Sequence, residues 1–194
     1  MKNENVKRMV GMALLMAMVV VLQLLSAVIP PVGGFSISLV LIPIVLGAAV
    51  YGVRAGALLG ATFGVIVTIT CVTGADAGGA MVFQANPVLC VLVVMSKGIL
   101  AGMASGAVYR LLKKVNPYLA MLVAAIVCPV VNTGVFIACM LLFFIDVLAA
   151  WAGGGDIIGY VLTGLVLANF VPELIINIVF SPAGQTVLKA VKRK

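Results

Sequence analysis

The segment Asn86–Arg110, NPVLCVLVVMSKGILAGMASGAVYR, is apolar for long enough to cross a bilayer, yet it carries a cation, Lys97, near its middle. Lys97 follows Pro87 by ten residues and precedes Arg110 by thirteen. At roughly 1.5 Å of rise per helical residue it therefore lies about 15–20 Å from either end. A lysine at that depth costs at least about 2.5–3.5 kcal/mol on insertion scales, so something beside it must compensate. One explanation is an internal partner, a carboxylate or carbonyl on a neighbouring helix. The other is a bound anion. The segment alone leaves both open.

The remainder of the chain is equally apolar. Of 194 residues, 64% are hydrophobic and 9% charged, with a mean hydropathy of +1.33. A soluble core has no use for so much apolar surface, and the expected fold is an all-α polytopic membrane protein. The net charge of +7 invites a nucleic-acid reading, but its distribution argues for topology instead. Lys2, Lys7 and Arg8 precede the first span, Arg54 sits between two spans, Arg110, Lys113 and Lys114 follow the Lys97 helix, and Lys189, Lys192, Arg193 and Lys194 close the chain. All of these fall on one side if six helices cross the membrane with both termini cytoplasmic, as the positive-inside rule requires. Asp76, Asp146 and Asp156 then fall in the opposite loops.

Several chemistries lack their residues. There is no histidine, the commonest general base and metal ligand. Cys71, Cys90, Cys128 and Cys139 have no metal-ligand spacing and read as small buried residues without a disulfide. No phosphate-binding GxxxxGK[ST] loop occurs, so nucleotide hydrolysis by this chain alone is not expected. The first apolar segment reads as a retained helix rather than a signal peptide, being about twenty residues long with five spans behind it.

The expected single six-helix domain, residues 1–194, has transmembrane helices at about 10–29, 37–53, 55–72, 87–112, 117–145 and 157–180. In the first, Ala13 and Ala17 form a small-xxx-small pair that suits either another helix or internal packing. Pro30-Pro31-Val32-Gly33-Gly34 ends that helix and opens an outer loop containing Phe35, Ser36 and Ser38. The loop is either a lid over a site or a plain connection. Pro43 predicts a kink in the second helix, and Arg54 marks the cytoplasmic turn that follows. Gly52, Gly56, Gly60 and Gly64 make one four-residue ladder, and Gly98, Gly102 and Gly106 another; both read as packing faces. The outer segment from Thr73 to Pro87 is expected to be a loop, with Gln84 and Asn86 as its ligand-facing residues. Trp151 reads as an interfacial anchor rather than a stacking platform. Ser181-Pro182 is expected to end the last span, leaving a short basic surface helix behind it.

Two polar residues, Asn132 and Asn169, match Lys97 in depth, and Glu173 lies about a turn deeper. Asn132 lies close to mid-membrane on the fifth helix, with Pro129 freeing a carbonyl nearby. On the sixth helix Asn169, Glu173 and Asn177 stand at i, i+4 and i+8 and share a face. Intramembrane polar groups normally face a bundle interior or a cavity, so Lys97, Asn132, Asn169 and Glu173 are expected to meet. They form a Lys97–Glu173 ion pair with its hydrogen bonds filled by amides, an outward-open polar pocket for a small anionic or amide-rich molecule, or both, with Glu173 paired to Lys97 when the site is empty.

The pattern resembles the substrate-binding S components of energy-coupling factor (ECF) vitamin transporters. The likeness rests on Ala13/Ala17, on the run from Ile29 to Val65, on Asn86-Pro87, on SGAVYRLLKK at Ser105–Lys114, on Asn132-Thr133 and on Asn169 with Glu173. The later features look most like the pantothenate-type branch, in which an arginine is expected where this chain has Lys97. The resemblance implies the S-component fold and a substrate-binding subunit of an ABC-type importer in the bacterial cell membrane. Such a subunit captures a small vitamin or micronutrient and is not an enzyme. It implies substrate contacts at Lys97, Asn132, Asn169, Glu173, Asn86, Gln84 and Phe35, with the Phe35 loop as a lid. It also implies docking of the Ala13/Ala17 face on a transmembrane coupling protein, and toppling of the S component in the membrane to release its cargo. No cofactor is expected in this chain, since ATP would be used by two partner ATPase subunits. Folate, cobalamin or a modified nucleobase are the alternative cargoes. A stand-alone secondary carrier is the alternative of another class, while an intramembrane enzyme is poorly served by so few acids and no histidine.

Overall fold

The computed structural model describes the backbone of residues 2–28 and 39–192 and the side chains of residues 4–26 and 39–188. All regular structure among them is helical: α1 (Lys2–Val28), α2 (Leu41–Tyr51), α3 (Val53–Thr73), α4 (Ala77–Ala85), α5 (Pro87–Leu112), α6 (Pro117–Phe143), α7 (Ile145–Trp151), α8 (Ile157–Tyr160), a π-helical segment (Val161–Phe170) and α9 (Val171–Lys192). Five helices are long and apolar enough to span a membrane, the last being the continuous run Ile157–Leu188. The chain is thus an all-α polytopic membrane protein. The expected second span is the exception, because α2 has eleven residues and reaches about 16 Å, roughly half the hydrocarbon thickness. It survives as a short helix because it is central. Leu41, Ile44, Val45 and Ala48 are buried, and α2 touches α1, α3, α5, α6 and α9.

The two glycine ladders face each other. A methyl group on Gly60 would overlap the carbonyl of Gly98, and one on Gly56 that of Gly102; the reverse substitutions clash in the same way. These antiparallel helices therefore touch backbone to backbone, an approach that any side chain would prevent. Gly106 continues the seam against Val53, and Gly64 rests on Val94 and Met95. Gly52 has a different task. At φ +94° and ψ −178° it is the turn between α2 and α3, a conformation suited to glycine, and Arg54 lies in the first turn of α3 rather than at the bend.

Other departures have local causes. Pro43 falls in the first turn of α2, where no intrahelical bond depends on its missing N–H, so it carries no kink penalty. The segment after Thr73 is not a simple loop: Asp76 accepts a hydrogen bond from Gly79 N at 3.1 Å and caps α4. The fifth span breaks at Phe144, and α7 follows. The last helix does not stop at Pro182. The proline removes the donor to the Ile178 carbonyl, but the Ser181 hydroxyl donates to that oxygen at 2.8 Å, and the helix runs on. The wide π turns end just before Pro172, which likewise has no N–H to give.

The seam can be tested at its tightest point. Gly60→Leu or Gly98→Leu should lower the stability of the detergent-solubilised protein by at least about 1–3 kcal/mol, since overpacking there has only backbone to displace. Gly134→Leu, with open space where the side chain would go, should leave the thermal unfolding midpoint nearly unchanged.

Candidate functional site

The Gly60–Gly98 contact sets the site. With α3 pressed onto α5 there, Phe63 lies one turn along α3 and Lys97 next to Gly98 on α5, and the two side chains meet. The Lys97 ammonium is 5.7 Å from the centre of the Phe63 ring and 4.6 Å from that of Phe136 on α6. Phe136 is one turn beyond Asn132 and Thr133, so the same face of α6 supplies all three.

These side chains line one cavity with about 980 Å³ of atom-free space, counting its open mouth. Lys97, Asn132, Asn169 and Glu173, expected to converge from their depths alone, all line it. Asn132 and Glu173 are 5% and 2% exposed, so both sit deep in the bundle. Among the described residues no hydrogen bond joins Asn132 to the backbone opened by Pro129. Instead Asn132 Oδ1, Thr133 Oγ1 and, from α1, Gln23 Oε1 are buried without a hydrogen-bond partner in the described structure, and all three residues line the cavity. Leaving such groups unpaired costs about 1–3 kcal/mol each. That expense is normal where a ligand or water completes the bonding.

One end of the cavity is closed in by short helices. Asp76, Gly78 and Gly79 at the start of α4 line the cavity, and Trp151 at the end of α7 packs near Gly78. The Trp151 indole donates to Met81 Sδ at 3.3 Å, tying α7 to α4. Trp151 is therefore part of the cavity wall, which the interfacial-anchor reading did not foresee. Gly79 packs against Cys71 without room for a side chain, which brings α4 down onto the top of α3. Cys71 and Cys90 are buried free thiols in the same wall.

Two expected ligand contacts lie elsewhere. Asn86 uses its Oδ1 to cap α5, accepting from Leu89 N at 3.1 Å, with Pro87 as the first helical residue. Gln84 is exposed and does not line the cavity. Phe35 falls outside the described residues. Asn177 also leaves the group. A four-residue step advances about 40° around a helix, and the amide lies a turn deeper than Glu173. Its Nδ2 donates to the Glu173 carbonyl at 2.9 Å, and its side chain lines a separate, apolar cleft with Ile42, Met121 and Phe180. Ala13 and Ala17 are exposed on α1, in a row with Val10, Leu14, Met18 and Val21; they do not pack internally.

Among the described residues no cluster of three or more His, Cys, Asp or Glu side chains is arranged to hold a metal. A wall of amides, hydroxyl, aromatics and a lysine inside an apolar helix bundle defines a membrane-embedded binding protein for a small molecule. A comparison with curated proteins gives no match, but the family model for the ECF transporter, substrate-specific component, matches residues 7–183. The chain belongs to that family, the S components of energy-coupling factor transporters. Membership carries a small-molecule substrate and partnership with ECF coupling and ATPase subunits.

The unpaired amide yields a test of binding against packing. Asn132→Leu removes a buried polar group that the folded protein leaves unsatisfied, so the ligand-free protein should unfold at an equal or slightly higher temperature. A large drop in the midpoint would make Asn132 a structural residue.

Proposed function

We propose that this S component captures a small carboxylated vitamin or related micronutrient from outside the cell, with pantothenate as the first candidate. The observation that carries the reading is Lys97 at mid-membrane in the same cavity as the unpartnered oxygens of Asn132 and Thr133. A carboxylate offers the ammonium a counter-charge, while a ligand's hydroxyl or amide N–H groups give those oxygens the donors they lack. Asn169 and Glu173 complete the inner wall, and a neutral, donor-rich part of the ligand suits the carboxylate of Glu173. Lysine in place of arginine keeps the charge but not the bidentate fork, which favours a ligand held at one acidic oxygen and oriented by its other polar groups.

The distribution of basic residues favours both termini in the cytoplasm and the cavity mouth outside. The exposed Ala13/Ala17 stripe is the docking face for the coupling protein, where two methyl-sized side chains allow close helix approach. The chain itself needs no cofactor in this reading, because partner ATPases supply the energy. Folate, cobalamin or a nucleobase remain the competing cargoes, and a stand-alone carrier the competing mechanism. Uptake in cells lacking the coupling and ATPase subunits would favour the carrier.

Native mass spectrometry of the purified protein should detect a co-bound small acid, and titration should give its affinity. Lys97→Ala should weaken that affinity by at least about tenfold, the scale of one charge-assisted hydrogen bond, while the protein still folds. Unchanged affinity would remove Lys97 from the site. Ala13→Leu with Ala17→Leu should abolish assembly with the coupling protein and leave ligand binding intact; normal assembly would dismiss that face.

A further inference from the structure

Lys97 sits where a lysine would ordinarily be expelled to one surface or paired with a carboxylate. Its ammonium lies between two ring faces supplied by different helices, 4.6 Å from the centre of Phe136 on α6 and 5.7 Å from that of Phe63 on α3, in the cavity that Glu173 and Asp76 also line. Both distances lie within the range in which an aromatic ring attracts a cation, and the attraction is strongest where water is scarce. The helices that carry the rings flank α5, and the Gly60–Gly98 contact fixes one of them in register.

We propose that Phe136, with Phe63 as its weaker partner, is a positioning residue for Lys97. The ring faces hold the side chain in its protonated form at the cavity wall, where an acidic ligand group can reach it. A ring stabilises a cation without neutralising it and takes none of its N–H donors, and here it acts on Lys97 beside the Glu173 and Asp76 side chains that share the cavity. The role of the ammonium in capture rests on the binding function proposed above, but its placement by the rings is measurable without any ligand.

Trinitrobenzenesulfonate supplies the readout. A neutral amine attacks the ring carbon that bears the sulfonate, sulfite leaves, and the nitrogen loses a proton. Only the unprotonated amine reacts, so surroundings that favour the cation slow arylation. The full-length, ligand-free protein in lipid nanodiscs would carry phenylalanine, monofluoro-, trifluoro- or pentafluorophenylalanine at position 136. Arylation of Lys97 would be followed by peptide mass spectrometry. Fluorination keeps the ring's shape and progressively removes its attraction for a cation. The rate should rise along the series, reaching about tenfold for the pentafluoro ring, with Phe136→Leu similar and Phe136→Trp at or below the wild-type rate. The same series at position 63 should show a smaller slope.

A flat series, or Lys97 unreactive in every variant including Phe136→Leu, overturns the proposal, whereas a graded series establishes it even if no small acid is found to bind. In that last case the positioning stands and the vitamin-capture function fails. A flat series in a protein that binds an acid through Lys97 means the opposite: the capture function stands and the positioning by the rings fails.

Discussion

A lysine side chain about 15 Å from either membrane surface is the constraint to which the rest of this structure answers. Hydrocarbon will not hold it, so the bundle builds it a local environment from two aromatic faces and the polar wall of a cavity. Every other specialised feature supports that placement. The glycine seam lets α3 and α5 touch, which brings Phe63 beside Lys97. The face of α6 that offers Phe136 also offers Asn132 and Thr133. The short, buried α2 packs against the other side of the seam, its Ile44 next to Gly102 and its Ala48 next to Gly56 and Gly106.

The arrangement explains why so apolar a chain tolerates so many buried polar groups. Most lie either on the cavity or on a helix that uses them locally. Ser181 repairs the break that Pro182 makes, and Asn177 returns its amide to the Glu173 carbonyl. Asn132, Thr133 and Gln23 are different, because their oxygens stay unpaired in the described structure and share the wall with Lys97. Unpaired oxygens also occur away from the cavity, at Ser105 and Tyr109, so what marks a ligand space is the gathering of these three around Lys97 on one wall.

Much of this was legible in the residues because depth in a membrane can be counted. Ten residues past a helix-starting proline is mid-bilayer whatever the packing, so Lys97, Asn132 and Asn169 could be placed at one level. The glycine ladders showed their function by spacing alone. Their pairing with each other was not visible, because a stripe of small residues does not name its partner. Periodicity also could not register the π turns before Pro172 or the angular drift that removes Asn177 from the cavity. The wall formed by α4 and α7 was read worst. Asn86-Pro87 is a cap followed by a first-turn proline, a local signature that outweighed any contact with ligand. Asp76 likewise announced a helix start within a segment that looked like a glycine-rich loop. Trp151, a residue equally at home at an interface or in a binding wall, was decided only by the fold of α7 against α4. Gln23, in the C-terminal half of α1, carried a signal of the same kind as Asn132 and could have been counted with it.

The measurement that bears most directly on this account is a structure of the protein isolated with its co-bound molecule. The account predicts density for a small acid in the cavity, with an acidic oxygen within hydrogen-bond distance of Lys97 Nζ and polar contacts to Asn132 and Thr133. A cavity filled by collapsed aliphatic side chains, with Lys97 drawn away toward a membrane surface, would contradict it.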